Sequence, residues 1–69
     1  MKPSADKMAV LMNDYFEGNY HKFARKLQLD PSHLYRFINN GVGGGSKMLG
    51  ALYKLCMEKG LKFEDYIEV

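Results

Sequence analysis

The sequence predicts an all-α protein, a compact bundle of about five short helices. Three observations support this fold class. Apolar residues recur at helical spacing, helix-capping residues precede these stretches, and glycines follow them. No segment shows the every-second-residue alternation of a half-buried strand, and no internal repeat is present. We therefore expect helices only, packed as one domain over residues 1–69.

The first helix is expected over about residues 4–17. Ser4 is a suitable N-cap, because its side chain can accept a hydrogen bond from a free amide of the first turn. Gly18 can end the helix in a left-handed conformation. The apolar side chains of this segment follow helical spacing: Ala5, Met8, Ala9, Met12, Tyr15 and Phe16. This stripe should cover the back of the two helices that follow.

Residues 19–41 indicate two short helices joined by a tight turn. The first helix should begin at Asn19 or Tyr20 and end near Leu27, and the second should span about residues 31–39. Each helix carries one apolar face at helical spacing: Phe23, Ala24 and Leu27 on the first, and Leu34, Phe37 and Ile38 on the second. These faces predict that the two helices pack against each other and the first helix.

The pair Asp30-Pro31 is a strong start signal for the second of these helices. An Asp side chain can accept the free amides of the first turn. Proline's fixed φ suits the first helical position, where its missing N–H is not needed. The polar side chains left on the outer face are Ser32, His33, Tyr35, Arg36 and Asn39. A short exposed helix with such side chains is suited to reading the major groove of DNA, so we interpret the segment as a helix-turn-helix.

The C-terminal third begins with a glycine-rich stretch, for which we expect a flexible loop over residues 40–46. Ser46 is expected to cap a fourth helix that ends at Gly60. The apolar stripe of this helix should comprise Met48, Leu49, Leu52, Leu55, Cys56 and Met57. A last short helix over about residues 62–67 completes the predicted bundle.

Charge is distributed unevenly along the chain. Residues 19–47 carry five cationic side chains against one carboxylate, whereas residues 1–18 and 48–69 each carry one more carboxylate than cationic side chains. Phosphate contacts supply most of the non-specific affinity of proteins for DNA, so a DNA-binding face should be basic. The basic window coincides with the predicted helix-turn-helix, which favours DNA binding over an ordinary solvated surface.

The same segment resembles the helix-turn-helix of phage Cro and phage-repressor proteins and of their bacterial relatives, the XRE-type regulators. Ala24 matches the small residue where the two helices cross closely, and Leu29 matches the apolar turn residue. Leu34 and Phe37 match the buried positions of the recognition helix. The ending at residues 39–41, Asn-Asn-Gly, is similar to that of the family with one extra residue. The resemblance covers about a third of the chain tightly and implies the lambda-repressor-like all-α fold.

Two positions depart from the family pattern. Gln28 stands where the family usually has glycine, so we expect a strained or altered turn, because a left-handed conformation is costly for other residues. Tyr20 stands where a glutamine or a similar polar residue is common.

These observations predict which residues would contact DNA. The candidates for base contacts are Ser32 and Arg36, then His33 and Tyr35, with the Pro31 ring placed against a thymine methyl. The candidates for phosphate contacts are Asn19, Tyr20, Lys22, Asn39, Asn40 and Lys47. A single small domain buries little DNA surface, so we expect a homodimer, at least on DNA. The first guess for its contact comprises Phe63, Tyr66, Ile67 and Val69.

The leading hypothesis is therefore a transcriptional regulator of the phage or mobile-element repressor kind that acts by occupying a double-stranded DNA operator. The main alternative is an antirepressor or adaptor that uses the same scaffold for protein–protein binding. A weaker alternative is a fragment of a larger DNA-processing protein. The absence of a signal peptide and of a long apolar run leads us to expect a cytoplasmic protein with no membrane partner.

Catalysis, cofactors and small-molecule ligands are not expected. No nucleophile stands with a base and an orienting group in any recognisable pattern. His21, His33 and Cys56 lack the spacing of a metal site, and one cysteine excludes an internal disulfide. Residues 41–47 differ from a phosphate-binding P-loop, because Met48 stands where a hydroxyl should hold magnesium.

Overall fold

The computed structural model describes all 69 residues. It contains four α-helices: α1 (Ala5–Phe16), α2 (Tyr20–Leu27), α3 (Pro31–Asn40) and α4 (Ser46–Lys59). Two short strands, β1 (Lys2–Pro3) and β2 (Ile67–Glu68), pair antiparallel, and a 3₁₀ helix (Phe63–Tyr66) precedes β2. The predicted all-α class is confirmed, with four α-helices in the bundle.

The helix starts follow from three capping side chains. Ser4, Asn19 and Asp30 each accept a hydrogen bond from a backbone amide two or three residues further on, at 3.3, 3.1 and 2.8 Å. These contacts satisfy amides that have no partner within the helix. The start of α4 differs from the prediction, because Gly45 occupies the N-cap and no side chain caps the helix. Ser46 is instead the first helical residue.

The core lies between the four helices. It comprises twelve buried apolar side chains: Met8, Leu11, Met12, Phe23, Ala24, Leu27, Leu34, Phe37, Met48, Leu52, Leu55 and Cys56. Leu11 was missing from the predicted stripe of α1. Tyr15 and Met57 were expected in the core but are 48% and 65% exposed. Met57 follows the buried Cys56, and one residue along a helix turns the side chain by about 100°, away from the core. Tyr15 lies near the end of α1, between the exposed Asp14 and the half-buried Phe16.

The C-terminal segment departs from the prediction of a fifth α-helix. Only Phe63–Tyr66 is helical, as a 3₁₀ turn, and the chain then extends into β2. Pro3 pairs with Ile67, and the amide of Ser4 donates to the carbonyl of Tyr66 at 2.9 Å. The expectation of no strand was wrong, because a strand of two residues is too short to show an alternating pattern in the sequence. This pairing ties the two ends of the chain together.

The glycine-rich loop between α3 and α4 is mostly exposed, but two of its glycines lie against side chains of α3. A Cβ at Gly43 would come within 2.6 Å of His33 Nε2, and a Cβ at Gly44 would collide with the Phe37 ring. Close packing therefore requires glycine at position 44, and the φ of 87° together with the contact to His33 favours it at position 43. The sequence prediction of a flexible loop missed this, because the residues on the other side of the contact belong to α3.

None of the helices combines the length and the apolar character needed to cross a lipid bilayer.

Candidate nucleic-acid interface

The packing of α2 on α3 defines how the outer face of α3 is presented. Ala24 is fully buried, and the amide of Leu29 donates to its carbonyl at 2.9 Å. Gln28 ends α2 with φ 59° and ψ 43°, a left-handed conformation, and its amide bonds back to α2. The expected strained turn at Gln28 is therefore present. Three residues, 28–30, separate the two helices.

An open groove follows the outer side of α3. It has a volume of about 430 Å³ and is lined by His21, Pro31, Ser32, Tyr35 and Arg36. Ser32 and Arg36 are exposed and lie one helical turn apart on the same face. Four of the five lining residues are predicted base-contact residues. Sequence reasoning missed His21, whose position in the first turn of α2, beside Tyr20, was the available signal.

Tyr20, Tyr35 and Asn39 form a polar and aromatic cluster between the start of α2 and the end of α3. Asn39 Nδ2 donates to the Tyr20 hydroxyl at 3.0 Å and to the carbonyl of Tyr35 at 2.9 Å. The two tyrosine rings lie 5.1 Å apart. Because the Tyr20 oxygen accepts from Asn39, its own proton remains available to donate to another acceptor. Tyr20 can thus donate one hydrogen bond to a ligand at the start of α2.

The His33 side chain, a predicted base-contact residue, is engaged by the loop between α3 and α4. It is half-buried, and its Nε2 lies 2.9 Å from the carbonyl oxygen of Gly43. A carbonyl oxygen can only accept, so Nε2 must carry the hydrogen in this contact. His33 therefore holds the loop that leads into α4, and its Nε2 faces that loop instead of the open groove.

The remaining phosphate-contact candidates differ in whether their side chains are already engaged in contacts within the chain. The Asn19 side chain is engaged as the cap of α2. Lys22 Nζ lies 3.0 Å from Glu17 Oε1, but both side chains are mostly exposed, so the ion pair is weak and easily exchanged. Asn40 and Lys47 are exposed, and Lys47 makes no ion pair. Lys47 is thus the candidate most available to an anion.

The predicted dimer residues are only partly available for an intermolecular contact. Phe63, Tyr66 and Ile67 are half-buried against the core of their own chain, whereas Val69 is fully exposed. The Phe63 ring also packs edge-on against Tyr53, with ring centroids 5.1 Å apart. These residues therefore complete the fold first, and any partner would contact their remaining surface.

No cluster suited to metal binding is found. No three His, Cys, Asp or Glu side chains are grouped closely enough to hold a metal ion. Cys56 is fully buried in the core, and burial, with a smaller effect from the Asp65 carboxylate, raises the pKa of its thiol. A protonated, buried thiol is a poor nucleophile and a poor ligand.

Comparison of the chain with family models, with characterised proteins and with solved structures finds no match.

Proposed function

We propose that the protein is a sequence-specific double-stranded-DNA-binding transcriptional regulator. In this proposal, α2, the turn and α3 act as a helix-turn-helix, with α3 as the recognition helix. The observation that carries the proposal is the outer face of α3, where Ser32, Tyr35 and Arg36 border an open groove while Leu34 and Phe37 anchor the opposite face in the core. An α-helix presented in this way fits the major groove.

Ser32 and Arg36 are assigned the principal base contacts. Ser32 lies in the first turn of α3, the end that enters the groove deepest in helix-turn-helix proteins. Arg36 follows one turn later and can donate two hydrogen bonds to O6 and N7 of guanine. Such a bidentate pair contributes about 1–3 kcal/mol of discrimination against other bases. Tyr35 and His21 border the same groove and would contact adjacent bases or sugars.

Phosphate contacts are assigned to both ends of this face. Tyr20 offers its hydroxyl proton at the start of α2, Asn40 is exposed at the end of α3, and Lys47 lies in the first turn of α4. The free amides at the start of α4, which no side chain caps, would add partial positive charge beside Lys47. Together these groups would orient α3 on the duplex without reading its sequence.

The regulator is proposed to act as a Cro-like repressor that occupies an operator. The basic charge is concentrated in the window that contains α2, α3 and Lys47, while the flanking segments are slightly acidic. One domain of this size buries a limited DNA surface, so high affinity would require two copies on paired half-sites. Sedimentation velocity with and without operator DNA tests this part, and a monomer under both conditions would refute it.

The central experiment is selection of bound duplexes from a random pool. The selected duplexes are then titrated with the wild type and with Arg36→Gln to measure their affinities. We expect an enriched motif for the wild type, and loss of preference at one guanine for the variant. Lys7→Gln is the matched control, because Lys7 is an exposed lysine on α1, away from the groove. No enriched motif, combined with no salt-sensitive binding to duplex DNA, would instead favour an antirepressor or adaptor.

A further inference from the structure

A second cationic site lies outside the groove on α3. It is an open cleft of about 260 Å³ between the end of α2 and one face of α4. Three lysines border it: Lys26 from α2, and Lys47 and Lys54 from α4. The assignments to DNA contact above use only Lys47. Lys26 and Lys54 have no role in them.

The charge of this cleft is only partly compensated. Lys26 Nζ lies 3.0 Å from Glu58 Oε2, but Lys47 and Lys54 make no ion pair. Glu58 is the only carboxylate among the nine lining residues. A concave surface with an excess of one charge concentrates its potential and attracts ions of the opposite sign. The ligand of this cleft should therefore be an anion.

The floor of the cleft indicates a close approach by that ligand. Gly50 lies in the interior of α4, and a Cβ placed there would meet nothing within 4 Å. Gly43 and Gly44 have packing reasons to be glycine, whereas Gly50 has none within the chain. Glycine destabilises the interior of a helix, yet it lets a ligand come close to the backbone. Lys47, Gly50 and Lys54 share one face of α4, so this floor lies between two cationic side chains.

We propose that the cleft binds a backbone phosphate of DNA that flanks the site read by α3. This inference rests on the proposed function, because it extends the same DNA-binding surface. The cleft shares Lys47 with the proposed contacts at the start of α4, and it reaches Gln28 in the turn before α3. That continuity favours a duplex over an acidic protein segment as the occupant. The flanking duplex would lie along α4 and contact Lys54 about two turns beyond Lys47.

The test uses the full chain and random-sequence duplexes of two lengths, one just covering α3 and one extended by a helical turn on each side. Each lost phosphate contact makes the slope of log affinity against log salt less steep by about 0.9. A variant that matches the wild type at 1 M salt should therefore bind about eight-fold more weakly than the wild type at 0.1 M. We expect this loss for Lys54→Gln on the long duplex only. Lys7→Gln is again the control for the removal of one charge.

Gly50→Leu separates binding from folding. A leucine should raise the midpoint of thermal unfolding by about 4–8 °C, because it replaces a helical glycine in open space. The same side chain should weaken binding to the long duplex, because it fills the floor of the cleft. A variant that is more stable and binds less tightly would support a ligand at Gly50.

The outcomes distinguish this inference from the proposed function. Wild type that binds duplex DNA, with Lys54→Gln and Gly50→Leu indistinguishable from Lys7→Gln, overturns the cleft and leaves the function standing. Wild type that binds neither duplex at low salt overturns both. Binding of poly-glutamate that is lost in Lys54→Gln, without any effect of this substitution on duplex binding, would assign the cleft to an acidic protein partner and overturn the phosphate assignment.

Discussion

Two residues, one within α2 and one in the turn that follows it, show how directly single positions determine the presentation of α3. Ala24 in α2 is fully buried in the core between the helices, so a larger side chain there would overpack it. Gln28 adopts the left-handed conformation that glycine adopts without strain. Both features were expected from the resemblance to a helix-turn-helix family, since the backbone preference of glutamine alone does not predict a left-handed conformation. The role of His33 could not be predicted, since its partner is a carbonyl ten residues away.

Gln28→Gly should stabilise the protein. Relief of the left-handed strain contributes about 1–2 kcal/mol, and the greater freedom of glycine in the unfolded chain offsets about 0.4–1 kcal/mol. We expect a net increase of about 0.5–1 kcal/mol in the free energy of unfolding, measured by urea denaturation. Gln28→Ala is the control, because it removes the side chain but retains Cβ and therefore the strain. An equal gain in both variants would show that the side chain, and not the backbone conformation, is responsible.

At the scale of elements, the starts of α1, α2 and α3 were predictable, because each depends on a capping residue next to its helix. The loop and the C-terminal strand were not predictable, because they depend on contacts between distant parts of the chain. The loop fits only because Gly44 leaves room for Phe37, and β2 exists only because β1 is present to pair with it. The groove on α3 was largely predictable from helical spacing, whereas the lysine cleft required the relative placement of α2 and α4.

The loop yields a prediction that contrasts two adjacent glycines. Gly44→Ala should lower the free energy of unfolding by about 1–3 kcal/mol, because its Cβ collides with the Phe37 ring. Gly45→Ser should instead raise the free energy of unfolding by about 0.3 kcal/mol, because the site is open and serine supplies the missing cap of α4. Urea denaturation of both variants measures the contrast. Equal stability of the two would show that the loop does not pack against α3.

For the whole molecule, the pairing of β1 with β2 places the C-terminal segment against the core beside α1 and α4. Tyr66 and Cys56 both lie in this region, and burial is the main cause that raises the pKa of each. The Tyr66 phenol is further affected by nearby acidic groups, first Tyr15, then the Cys56 thiol and the carboxylates of Asp65 and Asp14. Folding therefore holds both groups in their protonated, neutral forms.

This protonation predicts how stability depends on alkaline pH. A raised pKa in the folded state means that the unfolded chain releases its proton first, so the stabilisation is complete below the ordinary value and is lost as pH rises through the folded value. The decline should begin near pH 9.0, the ordinary value for the Cys56 thiol, and continue above 10.0, the ordinary value for the Tyr66 phenol. The measurement is urea denaturation between pH 7 and 11.

Cys56→Ala and Tyr66→Phe should each show a shallower decline in the free energy of unfolding than the wild type, even if their stability at pH 7 is lower. Parallel curves for the wild type and both variants would show that neither group is held protonated by the fold.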